Sequence, residues 1–118
     1  VLTFTILSLP TASPPTETEE HIGFKIVNTA LYASNANGTT QTITDTGVTL
    51  STGVQKTRLK MVFTPGTDCK FYVNGVLKAT HTTNLPTTAH QYFMACIKTT
   101  AKAAALDYID RFLITQEY

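Results

Sequence analysis

Asn74-Gly75 stands between two runs rich in β-branched and aromatic residues, Cys69-Lys70-Phe71-Tyr72-Val73 and Val76-Leu77-Lys78-Ala79-Thr80-His81. Both central residues of a type I′ turn need positive φ, which Asn and Gly tolerate, so an Asn-Gly pair in this setting predicts a tight β-hairpin. A two-stranded hairpin is marginal in water and needs further strands to cover one of its faces. The rest of the chain offers them through apolar alternation at a period of two. Leu2, Phe4 and Ile6 share one face of a first strand that ends before Pro10, and Pro14-Pro15 form a loop. Ile22, Phe24 and Ile26 alternate with His21, Gly23 and Lys25. Leu31-Tyr32-Ala33 reads as a short strand closed by a turn at Asn35-Ala36-Asn37-Gly38. Residues 40–44 read as a polar strand, ended by a second turn at Asp45-Thr46-Gly47. Leu59, Met61 and Phe63 face one way, Arg58, Lys60 and Val62 the other, and Pro65-Gly66 turns the chain into the hairpin. Beyond Leu85-Pro86, residues 91–97 and 106–115 continue the strand pattern.

The helix-friendly run 101–105 is too short to stand alone and reads as a loop. About nine strands at roughly 8–12-residue spacing predict an all-β, antiparallel two-sheet sandwich or jelly roll, with residues 1–118 forming one domain. At 118 residues the chain can bury a core without disulfides or metals. Because it opens directly on a strand, it is expected to be a trimmed piece or a domain of a longer protein. The apolar start 1–9 alternates with Thr3 and Thr5, which favours a strand over a signal-peptide core. No apolar run approaches the roughly 20 residues of a membrane span.

Nine basic and eight acidic residues leave a formal charge of +1, so no strong overall field favours nucleic acid or an acidic membrane. Only 14% of residues are charged, and Thr, at about a fifth of the chain, takes their place. A Thr-rich surface solvates a sheet with hydroxyls, a composition that suits extracellular and virion proteins. Cys69 and Cys96 both fall in predicted strands, where two buried thiols or a disulfide are each compatible with the spacing. No set of His and Cys has metal-ligand spacing.

The hairpin from Lys70 to Thr80 resembles the Phe-Tyr-Val-Asn-Gly hairpin of concanavalin A-like (laminin-G-like) domains. The preceding strand Thr57-Arg58-Leu59-Lys60-Met61-Val62-Phe63, the connection Thr82-Thr83-Asn84-Leu85-Pro86 and the strand Leu106-Asp107-Tyr108-Ile109-Asp110-Arg111-Phe112 fit the same pattern in the same order. Residues 40–53 are similar to the loop and strand that come before them. The resemblance implies a jelly-roll sandwich of the kind found in bacteriophage tail and capsid appendages. The chain is shorter than many members of that family, and Cys69 stands where an aliphatic residue is expected.

Chemistry-bearing residues are sparse. Glu17, Glu19 and Glu20 form an acidic cluster, and Glu17 and Glu19 have the alternating spacing by which glycoside hydrolases built on a sandwich of this kind point two carboxylates into one cleft. They follow two prolines at a loop end, and no Trp accompanies them, so a solvated strand entrance is the expected role. Asp68, Asp107 and Asp110 do not form the acidic loop a calcium site needs, and hydrogen bonding to backbone or a nearby Arg is expected of them. His21, His81 and His90 have no nucleophile beside them in a strained turn, so no hydrolase triad is expected. Aromatic and amide groups near loops are the candidates for glycan contact: Tyr32 with Asn35 and Asn37, and His90 with Tyr92. Tyr72 and Lys70 share a hairpin face suited to solvent or a partner.

These residues point to a non-catalytic structural or recognition module with no cofactor and no metal. Its expected setting is a virion or the extracellular space. Its expected partners are copies of itself, as a homo-oligomer, other virion subunits, or surface glycans, and not nucleic acid. A carbohydrate-binding module of a secreted protein is the second reading, and a glycoside hydrolase-like enzyme the third.

Overall fold

A computed structural model describes residues 17–50 and 57–87, together with the backbone course of 2–8 and 91–92. Among the described residues the fold is all-β, with eight strands: β1 (Leu2–Ser8), β2 (His21–Val27), β3 (Ala30–Ala36), β4 (Gln41–Thr49), β5 (Leu59–Thr64), β6 (Asp68–Val73), β7 (Val76–His81) and β8 (Gln91–Tyr92). They form two antiparallel sheets, one in the order β4-β3-β2-β1-β8 and one in the order β5-β6-β7. No helix of the described residues is long and apolar enough to cross a membrane.

The β6–β7 turn has φ of 51° at Asn74 and 83° at Gly75, the positive pair expected of a type I′ hairpin. The Asn74 side chain also accepts from the Arg58 amide at 2.9 Å, while the Asn74 amide donates to the Arg58 carbonyl at 2.8 Å. The turn thus fixes the start of β5 as well as its own hairpin. A second two-residue turn joins β2 to β3, with Asn28 at φ 57° and Val27 opposite Ala30.

Two sequence expectations are corrected in this region. Asp45-Thr46-Gly47 does not end a strand; β4 runs through it, and the register against β3 shifts between Leu31 and Tyr32. The extra residues form a bulge in which the Thr46 hydroxyl donates to the Leu31 carbonyl at 2.6 Å, and Gly47 takes φ 70°. The other correction concerns Asn35 and Ala36, which lie inside β3 and not in a turn. The turn begins at Asn37, whose side-chain oxygen accepts from the amides of Thr39 (3.1 Å) and Thr40 (2.9 Å), with Gly38 at φ 97°.

One core joins the two sheets. Ile22, Phe24, Leu31 and Ala33 come from β2 and β3, and Cys69, Phe71, Val73 and Ala79 from β6 and β7. The Phe24 and Phe71 rings meet edge to face, with centroids 5.5 Å apart. Leu59, Met61 and Phe63 pack against this cluster from β5, which leaves Lys60, Val62 and Thr64 outward, as the alternation predicts. Cys69 is a free thiol with no exposed surface, and burial pushes its pKa up to about 12, so it packs as a small apolar group. Cys96, the run 101–105 and the predicted strand 106–115 lie outside the described residues.

Candidate functional site

Among the described residues, polar side chains gather in three places. The first lies between the sheets at the β3–β4 end. Asn35 has no exposed surface. Its amide donates to the carbonyls of Thr83 (2.9 Å) and Asn84 (2.7 Å), which leaves Oδ1 to face His81 Nδ1 at 2.5 Å. Because both amide protons point at carbonyls, Oδ1 must accept, and the His81 proton therefore sits on Nδ1. Nε2 is then free to accept from the Thr44 hydroxyl at 2.8 Å. Burial lowers the His81 pKa and favours this neutral form. The ring leans on Phe71 with centroids 4.9 Å apart.

Thr44, His81 and Asn35 thus stand in the hydroxyl–imidazole–amide order of an acyl-transfer triad. Their surroundings give the set another task. His81 is only 4% exposed, and the Asn35 amide holds two consecutive backbone carbonyls of the connection that leaves β7. The relay fastens that connection to β3 and β4. Around it, Asn84 donates to the Thr42 hydroxyl at 3.0 Å, Thr42 and Thr83 hydroxyls lie 3.3 Å apart, and Asn37 reaches Asn84 at 3.4 Å.

The second gathering lies on the opposite face of the five-stranded sheet. His21 Nδ1 donates to the Glu19 carbonyl at 2.7 Å, so Nε2 accepts from the Ser34 hydroxyl at 2.7 Å, and Ser34 accepts in turn from Gln41 at 3.0 Å. Burial lowers the His21 pKa and outweighs the Glu19 carbonyl and the nearby Glu17 and Glu19 charges, which raise it. Lys25 is buried beside these groups and pairs with Glu17. Glu20 accepts from the Thr87 amide and hydroxyl, each at 3.2 Å. The acidic cluster therefore sits on the turn that precedes β2, with Glu17 and Glu20 occupied in holding the chain together.

The third gathering is open to water. On the outer face of β5-β6-β7, Lys60 lies opposite Tyr72, and Tyr72 opposite Leu77. The Lys60 ammonium sits 5.3 Å from the Tyr72 ring centre, within cation–π range. Val62 faces Lys70, which forms an ion pair with Asp68 at 3.3 Å. Val62 is 38% exposed and Leu77 48%. Arg58 and Lys78 are exposed at the start of β5 and at the β7 bulge.

The glycan candidates do not form one group. Tyr32 lies on β3 opposite Lys25 and Asp45, on the same side of the sheet as Ser34, whereas Asn35 points into the core. Asn35 and Asn37 do converge, through Asn84. Tyr92 belongs to β8, whose backbone pairs with Leu7, and the position of its side chain and of His90 lies outside the described residues. Among the described residues, no group of three or more His, Cys, Asp or Glu could hold a metal ion. Sequence reasoning missed the Asn35–His81 pairing because its partners are separated by 46 residues and carry no local signature. Compared with protein-family models, curated proteins and solved structures, the chain matches none.

Proposed function

We propose that this chain is a non-catalytic structural or recognition module, a concanavalin A-like jelly-roll sandwich that works through contacts of its surface with partner subunits, with a virion appendage as its setting. The observation that carries this reading is the asymmetry between the two sheets. The five-stranded sheet buries polar groups on both of its faces and, among the described residues, exposes one large apolar side chain, Ile43, whereas the three-stranded sheet turns Val62, Tyr72 and Leu77 outward among lysines. Exposed apolar groups clustered with charge on one sheet face mark a candidate contact surface. Among the described residues, His21 and His81 and the hydroxyls of Ser34 and Thr44 are engaged in hydrogen bonds that fasten the fold.

Light scattering on the purified chain tests this reading. Subunit contact predicts a particle heavier than the 12.9 kDa of one chain. A 12.9 kDa species at all concentrations, with specific binding on a glycan array, would replace it with the carbohydrate-binding reading. That second reading has one observation of its own, the amide and hydroxyl cluster of Asn37, Thr42, Thr83 and Asn84 at one end of the molecule. Tyr32, on the opposite side of its sheet, brings no ring to that cluster.

A further inference from the structure

Among the described residues, four cations, Arg58, Lys60, Lys70 and Lys78, lie on or beside the outer face of β5-β6-β7, against one carboxylate, Asp68. The overall charge of +1 conceals this concentration. The cations do not form a run in sequence; antiparallel pairing brings them together from three strands. Between them sit Val62, Tyr72 and Leu77.

We infer that this face docks an acidic protein surface, one whose carboxylates are interspersed with apolar side chains. The inference rests on the proposed contact role and adds the chemistry of the partner. Charge complementarity sets the sign of the partner, because like charges brought face to face cost several kcal/mol and suppress wrong pairings. The same repulsion rules out a symmetric contact of this face with itself; a second copy could dock only by presenting a different, acidic surface. The apolar side chains set among the cations fix the class of partner. A phosphate backbone or an anionic polysaccharide would meet the lysines but gain little from covering Val62 and Leu77. Single-stranded nucleic acid is held by open aromatic stacking platforms, and here the Tyr72 ring already has Lys60 across it. Lys70 and Tyr72 alternate along the central strand, with Val62 and Leu77 on the strands beside it, so cations and apolar groups are interspersed and a protein surface carrying both carboxylates and apolar side chains can meet both.

The test is a titration of the purified full chain, at about 50 mM salt to limit screening, with four probes: a random copolymer of glutamate and tyrosine, polyglutamate, dextran sulfate and an oligothymidine. The copolymer is expected to bind most tightly, about tenfold better than polyglutamate, because only it can cover the apolar side chains of the face. Lys60→Glu with Lys70→Glu should weaken copolymer binding by about tenfold or more. Val62→Ser with Leu77→Ser should bring the copolymer down to the level of polyglutamate while leaving polyglutamate binding unchanged. All four positions are outward, and circular dichroism checks that each variant folds. No binding of the copolymer, equal binding of copolymer and polyglutamate, or tighter binding of dextran sulfate or oligothymidine overturns the proposal. Probe binding is read on the chain whatever its mass, so this result and the light-scattering result fail independently.

Discussion

The two sheets deal with polar groups in opposite ways. The five-stranded sheet takes them in: His21, Lys25, Ser34 and Asn35 are all buried on its two faces, each with a named partner. The three-stranded sheet buries Cys69, Phe71, Val73 and Ala79 inward, takes in one polar ring, that of His81, and leaves its lysines in water. The difference teaches where this molecule stores stability and which surface carries little of it. A buried donor or acceptor that loses its partner costs about 1–3 kcal/mol, whereas outward substitutions fall within about 0.5 kcal/mol. Stability should therefore be sensitive in β3 and indifferent on the outer side of β5 and β7.

The largest break in that comparison should come from Asn35→Ala. It strands the carbonyls of Thr83 and Asn84 and the Nδ1 proton of His81 together. A loss of about 3 kcal/mol or more is expected in urea denaturation. A loss under about 1 kcal/mol would mean that water replaces the amide and that the relay is not what fastens the β7 connection.

Acid should act next, and on both sheets. His21 and His81 have pKa values lowered by burial, so the folded chain binds fewer protons than the unfolded chain below neutrality. Their contribution is fully present above the unfolded value near 6.5 and is lost as pH falls through that value toward the depressed folded ones. Thermal unfolding at pH 7.5 and 5.5 should show lower stability at the acid end. A double His21→Gln, His81→Gln variant should flatten that slope; an unchanged slope would assign it to carboxylates.

The smallest effect, and the one that sharpens the contrast most, belongs to Val62→Ser and Leu77→Ser. Each should shift folding stability by no more than about 0.5 kcal/mol. A larger loss would show that this face is covered within the folded chain and is not a surface held for a partner.

How much of this was legible in the sequence follows from the range of each interaction. The Asn74-Gly75 hairpin and the inward set Leu59, Met61 and Phe63 rest on neighbours and alternation, and both are present. From sequence Asn35 reads as a turn residue, because Asn beside Asn37-Gly38 has turn chemistry; its placement in β3 depends on carbonyls and a ring supplied from more than 40 residues away. The Asp45-Thr46-Gly47 bulge has the composition of a turn for the same reason: both need positive φ at glycine and a side-chain acceptor nearby. The pairing of Tyr32 with Asn35 failed on parity alone, since residues three apart in a strand point to opposite faces. The basic face could not be read from spacing, because register, which sets it, is not written in any one strand.

The grip of Asn35 on Thr83 and Asn84 also bears on the order in which the chain assembles. Pairing of β8 with β1 joins residues near opposite ends of the described chain, a closure that is entropically costly for a free coil. Once the amide holds those two carbonyls, only the short run from Asn84 to Gln91 remains to be placed, and the closing strand searches a small volume beside its target. The carboxamide thus shortens the search for the most distant pairing described in the five-stranded sheet, so that its removal should slow refolding as well as weaken the folded state.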